Sequence, residues 1–523
     1  MTRIVITLGL FALLSRAGAQ AQGTSPQLGR IDFPATASPE AHREFVTGVL
    51  WMHSFEYPRA AAAFQRAGKL DPGFALAYWG EAMTHTHPVW NEQDLPAARA
   101  VLARLGATPA ARRQQAGTPR EQMYLDAVEV LYGEGGKAQR DTLYAEAMER
   151  LVRAHPDDLE AKAFYALALI GLSQGVRDTA TYRRAAAWAD TVFAANPEHP
   201  GAAHYLIHAW DDPEHAHLGL EAARAYSAIA PDAAHAQHMT THIFLALGMW
   251  DEVVAQNTVA MDLTARVPGH YTSWLHYGLL QQGRIREATT FLDEMRVNME
   301  TQRLQREGIL GWMRLAHVLV TDRWEDGPAL WPIEVAHLPA EAQAPELYFR
   351  GVAAFRVQHT AGLDSARAAL TRLRDALRSR APADPALGAL DVQVLELEAY
   401  RQLSAGRQEA AIASLRRAAT LQEALPVEFG PPAVTQPSHE LLGNLLEATA
   451  PAAAMRAYQG SLRLAPGRAL SLLGLVRSAR AAGEREVARE ALDEWLAITG
   501  KADPEWRAML PPGPASTRPE GSP

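Results

Sequence analysis

The sequence predicts an all-α protein, a solenoid of helical hairpins stacked in series, and three observations carry that prediction. Alternation of period two, the mark of a half-buried strand, is missing, whereas apolar residues recur at helical spacing. Pro72, Pro156, Pro197, Pro231, Gly248 and Gly283 punctuate the helical text where hairpins end. Histidines also repeat at a fixed interval: His204 and His208 are followed 34 residues later by His238 and His242, and 34 residues beyond His242 lies His276. A fixed period of that length marks equivalent two-helix units stacked on one another.

Composition sets the outer bounds. With 48% hydrophobic and 21% charged residues over 523 positions, disorder is excluded for most of the chain. The formal charge is −9, and −11 without Arg3 and Arg16; with no basic run, it argues against a nucleic-acid or anionic-membrane partner held by bulk charge. There is no cysteine, so disulfides, thiol catalysis, a lipid-anchored N-terminus and Cys-rich metal sites are excluded, and any metal must use His and carboxylate. Residues 1–21 read as a secretory signal, with Arg3, the apolar run IVITLGLFALL and small residues for cleavage after Ala19 or Ala21. The expected location is therefore periplasmic or secreted. That run has 11 residues where a membrane span needs roughly 20, and no later segment is apolar enough to span. Residues 22–39, rich in Ser, Pro, Thr and Gly, read as a flexible linker.

From Glu40 the pattern is helical. Gly48, Ala60, Phe64, Ala67 and Pro72 supply a small, small, aromatic, small and proline series in the unit that begins near Ala41. This series resembles the tetratricopeptide repeat (TPR), in which small residues let two helices approach, an aromatic fills their seam and proline ends the second helix. The resemblance implies a right-handed α-solenoid of TPR-like hairpins. The next unit opens with LAYWGEAMTHTHPVW; Asp94 to Thr118 has no clean frame, Gly133 to Lys137 marks a break, and extra residues near 174–181 read as a loop insertion. Residues 40–323 are expected to form an N-terminal solenoid whose His-rich repeats span 199–276. Four prolines in 324–345 suggest a linker, and 346–510 a second solenoid. Within that second solenoid, the Pro-rich loop EFGPPAVTQPS (residues 428–438) is long enough to lie across a groove. Two closing units carry Ala454, Tyr458, Ser461 and Pro466, then Leu475, Ala488 and Leu492. Residues 511–523 read as a disordered tail. The stretches GAAHYLIHAWDDP and HAQHMTTHIFLALGMWDE further resemble a group of exported bacterial TPR proteins with His-rich central repeats, a likeness that implies fold and export but no activity.

The histidines carry the chemistry. In the TPR family, groove-facing side chains sit at positions 2, 5, 9, 12 and 13 of the repeat. Counted from Pro200, Ala234 and Pro268, His204 and His238 take position 5; His208, His242 and His276 take position 9; His235 takes position 2. Counted from Ala41, His53 takes position 13, as does His87 in the next unit. Histidines at i and i+4 share one helix face, and neighbouring helices pack about 8–10 Å apart, so paired imidazoles can converge on one ion. Neutral imidazoles suit copper, zinc, nickel or iron, and affinity rank favours copper. The four expected ligands are His204, His208, His238 and His242, with His235, His276, His53 and His87 in reserve. If three bind, the vacant position holds water, which zinc would acidify, and Asp211 or Asp212 could act as base or support a ligand. Glu81 lies one turn before His85, His215 and His217 read as solvated on a second helix, and Trp51, Trp79, Trp90 and Trp210 as seam or core residues. The bland alternative is a peptide-binding groove whose histidines each bond a carbonyl or carboxylate. No HExxH, GxSxG, P-loop or dinucleotide motif appears. Two functions remain open: a scaffold that binds a protein or peptide in a His-lined groove and holds a transition metal, or a metal-dependent enzyme of hydrolytic or oxidative type.

Overall fold

Several helices start where a short polar residue caps them. Ser38 accepts the N–H of Ala41 and opens Pro39–His53, while Asp94, Thr108, Thr118, Asp158 and Asp178 cap later helices through their side chains in the same way. The computed structural model describes residues 25–173, 177–264, 266, 269–427 and 429–509; the leader 1–21 and the tail 511–523 lie outside the described residues. Among those described are 25 α-helices, paired hairpin after hairpin into an α-solenoid.

The hairpin seams follow the small-aromatic-small logic of the sequence. Phe64, on Tyr57–Leu70, is fully buried between Gly48 of Pro39–His53 and Gly80 of Ala75–Met83, and a β-carbon at either glycine would run into its ring. Near the other end Tyr458 fills the same role between Gly443 and Gly474, and its hydroxyl donates to Asn444 Oδ1 (2.7 Å) or Glu447 Oε2 (2.9 Å). Removing such a ring leaves a cavity and costs about 3–5 kcal/mol.

The stack folds back on itself. Trp250 Nε1 donates to the carbonyl of Gly467 (2.8 Å), Trp506 covers Gly283, and the Asp503 N–H donates to the Gly283 carbonyl (3.0 Å). Arg468, 2% exposed, donates both to Glu440 (2.7 and 3.0 Å) and to the Tyr277 hydroxyl (3.1 Å), which ties the last hairpins to the third His-bearing helix. One apolar cluster includes Leu310, Ile333, Val335, Leu442 and Trp495, so residues of the Pro-rich 324–345 stretch are part of the core that joins both sides of it. The helix after it begins at Ala340 and takes in Pro345.

Two expectations need correction. Within the 22–39 stretch Leu28 and Phe33 are buried; the Phe33 ring lies 5.0–5.8 Å from those of Phe45, Tyr124 and Trp79, and the Arg30 N–H donates to the Glu198 carbonyl (3.0 Å). Two apolar side chains suffice to seat a segment that composition alone marks as a tether. A short sheet is also present: Thr86–His87 pairs antiparallel with Glu92–Gln93 around a Pro88–Trp90 turn closed by Asn91 at φ 56°. Only two residues per strand leave no alternation to read. Among the described residues no helix is long and apolar enough to cross a membrane.

Candidate metal centre

Three helices build the site. His199 caps Pro200–Trp210 by accepting the Ala202 N–H on Nδ1 (3.1 Å); Ala234–Ala246 and His270–Gln281 follow as the first helices of the next two hairpins. The i, i+4 spacing stacks His204 with His208 and His238 with His242, with ring centroids 4.8 and 5.0 Å apart. The repeat then brings the two helices side by side, so that His208 lies 6.1 Å from His242 and His204 lies 5.1 Å from His235. All four of the first-choice histidines, with His235, line one cluster. His270 completes it, with its ring 4.5 Å from that of His238.

The protons decide what these rings can do. Asn257 turns its Nδ2 to the Val253 carbonyl (2.9 Å) and the Thr241 hydroxyl (3.2 Å), so its Oδ1 faces His238 Nδ1 (2.7 Å) and accepts the N–H there. His242 Nδ1 donates to the buried carboxylate of Asp211. Both rings therefore turn Nε2 lone pairs toward each other at 3.2 Å. Two lone pairs at that distance repel unless a cation lies between them, either a shared proton or a metal. A metal with bonds of about 2.0–2.1 Å to two nitrogens in tetrahedral geometry sets them about 3.3 Å apart. His270, at the exposed edge, offers a third nitrogen within 4.8 Å.

A second trio adjoins the first. His204 Nδ1 donates to the His53 carbonyl (2.6 Å), which leaves its Nε2 as a buried lone pair without a partner. His235 Nε2 and both nitrogens of His208 are likewise buried and unpartnered among the described residues. Leaving such a group unpaired costs about 1–3 kcal/mol each, which apolar side chains of similar size would avoid. Burial holds His204 down at about 3 and pulls His208, His235 and His238 well below the usual imidazole range, with neighbouring imidazoles adding to the effect, so these rings stay neutral and keep their lone pairs.

A cavity of about 300 Å³ opens onto both trios, bounded by Val89, Trp90, His208, His235, His242 and Phe429. The Pro-rich segment does lie across this groove: the Phe429 ring is 6.4 Å from those of both His208 and His242, and Trp312 Nε1 donates to the Pro432 carbonyl (3.3 Å). A larger cavity, about 470 Å³, lies beside Asp322, Glu396, Tyr400 and Arg477, but among the described residues no group of ligating nitrogens lines it.

The other candidates have different partners. His53 Nε2 meets Glu160 (2.8 Å) and its Nδ1 meets the Tyr205 hydroxyl (2.8 Å); His199 Nε2 reaches the other Glu160 oxygen (3.1 Å). His53, Glu160 and His199 are close enough for a metal, yet every ring nitrogen there is already used. Burial pushes Glu160 up, but His199 and His53 outweigh it and hold the carboxyl at about 2. His276 pairs with His317 (3.2 Å) outside the cluster. His87 stacks on Tyr57 at 4.1 Å and meets Glu92 (3.2 Å) on the small hairpin. Glu81 does not share a helix with His85, since Ala75–Met83 ends first, and it pairs with Arg104. His215 precedes the next helix and is tied to Asp212 (2.9 Å), whereas His217 is exposed. Asp211, just beyond His208, bonds His242 Nδ1 on the next hairpin. His270, Asn257 and Phe429 were not foreseen; only the density of histidines in HYTSWLHYGL pointed at the first.

No protein-family model matches the chain, and no curated protein does. Among solved structures, a monomeric mutant of IFIT1 with Gppp-AAAA is 13% identical, with 81% of this chain and 90% of that one covered and a TM-score of 0.34. The human IFIT1 dimer with m7Gppp-AAAA is 13% identical over 90% and 92%, with a TM-score of 0.32. A likeness at this level says nothing of what this chain binds.

Proposed function

We propose that this chain is an exported TPR-like solenoid that holds a transition-metal ion, copper or zinc before iron, between His238, His242 and His270. The observation that carries the reading is the facing pair of Nε2 atoms at 3.2 Å, each fixed by an oxygen behind its ring, Asp211 for His242 and Asn257 for His238. A carboxylate or amide oxygen on the far nitrogen orients a ligating imidazole and raises its basicity. The side of the groove at Leu425, Pro426, Val427 and Phe429 is filled by the chain itself, and a space of about 300 Å³ suits a metal with a small ligand better than a peptide. Export rests on the leader of residues 1–21, and the absence of cysteine agrees with an all-nitrogen site there.

The test uses untagged protein, stripped by chelator and then offered copper, zinc and iron in turn. At least one tightly held ion per chain and a raised melting temperature are expected, since an ion that binds only the folded chain stabilises it. His242→Ala is expected to lose the ion held between His238, His242 and His270 with helicity intact. Uptake below about 0.1 ion per chain with unchanged melting would leave a scaffold for a protein or peptide partner as the better reading.

A further inference from the structure

An ion among His238, His242 and His270 leaves a second set of nitrogens unexplained. His204 Nε2, His235 Nε2 and both nitrogens of His208 are buried, unpartnered among the described residues, and offer ligand atoms within 4.8 Å of one another. His204 is held as a ligand would be, its Nδ1–H on the His53 carbonyl and its lone pair left free at Nε2. Core packing does not call for three such rings on one wall, because an apolar residue would fill the volume without desolvating a nitrogen.

The two trios are also neighbours. His208 lies 6.1 Å from His242 and His235 lies 6.1 Å from His238, centroid to centroid, and the cavity beneath Phe429 touches His208 and His235 of one trio and His242 and His270 of the other. We infer that the chain holds two transition-metal ions, one in His204, His208 and His235 and one in His238, His242 and His270, joined by a hydroxide in the shared cavity. The inference rests on the proposed function for the first ion and adds a second. Neutral imidazoles bring no charge to offset two cations, so an anion between them is required; Asp211, behind His242, supplies only part of it. Two-metal sites place their ions about 3.5–4 Å apart, a separation that one oxygen bridges. Arg177, a cation on the cavity wall, is committed to the His208 and Ala209 carbonyls and to Asp212, so the centre suits a small oxygen ligand and offers no free cation for a phosphate among the described residues.

Copper(II) alone, titrated into untagged apoprotein, is the probe. Two ions per chain are expected, with an electron paramagnetic resonance signal well below two spins because the hydroxide couples them. His208→Asn/His235→Asn is expected to keep one ion with one full spin, and His238→Asn/His242→Asn to keep the other. His208→Asn alone loses no hydrogen bond and gives the same reading if a double variant unfolds. One ion in the wild type, kept in His208→Asn/His235→Asn and lost in His242→Ala, overturns the second site and leaves the first. Two ions at full spin count overturn the bridge, and no ion in any form overturns both this inference and the proposed function.

Discussion

Asp211→Asn tests the centre at an atom that touches no metal. The carboxylate is 3% exposed and accepts the His242 Nδ1–H, so it both fixes the ring and enriches the opposite nitrogen. Asparagine keeps the size and removes the charge. Loss of such a supporting group lowers metal affinity about 10- to 100-fold, or about 1.4–2.7 kcal/mol. At free metal about 100-fold above the wild-type Kd, binding stabilises the folded chain by about 2.7 kcal/mol; the variant would keep about 1.4 kcal/mol after a tenfold loss and about 0.4 kcal/mol after a hundredfold one. Competition against a chromophoric chelator measures the two Kd values, and far-ultraviolet circular dichroism checks the helices. A folded Asp211→Asn chain whose Kd stays within about twofold of wild type would refute the assignment of His242 Nε2 as a ligand.

Glu396 gives a pH dependence with a definite sign. Burial raises its carboxyl from 4.5 to about 8, against a weaker opposing hydrogen bond from Ser438. The native chain therefore keeps a proton that the unfolded chain has released, and this contribution, full below about pH 4.5, is lost as pH climbs to about 8, at about 1.4 kcal/mol per pH unit. Denaturant midpoints at pH 6 and pH 8.5 should fall less in Glu396→Gln than in wild type, and equal falls would contradict a neutral Glu396. Gly430 adopts φ +93°, a region glycine alone enters freely, and a β-carbon there would meet the Trp274 ring. Gly430→Ala should strain the segment by about 1–3 kcal/mol, displace Phe429 and speed chelator removal of bound metal; an unchanged rate in stopped-flow mixing would mean the segment does not cover the centre.

Much of this protein was legible without coordinates because a repeat writes its geometry into spacing. Phe64 and Tyr458 announced their seams, and the 34-residue offset between the pairs His204/His208 and His238/His242 announced that four rings would share one wall. Period and helix pitch are local quantities, and a local quantity is carried by sequence. Which nitrogens keep a lone pair is not local. His53 and His204 both face inward, yet Glu160 and Tyr205 use up the ring of one while a lone carbonyl leaves the other with a free Nε2. His276 held the register and went to His317, whereas His270, at an unremarked position, joined the cluster. Asn257 comes from the second helix of a hairpin and Phe429 from more than 180 residues beyond His242. The sequence thus determined the hairpins and the histidine-rich wall; the tertiary fold decided each imidazole's tautomer, its partner and its cover, because hydrogen bonds and burial are set by atoms that meet only once the stack has closed on itself.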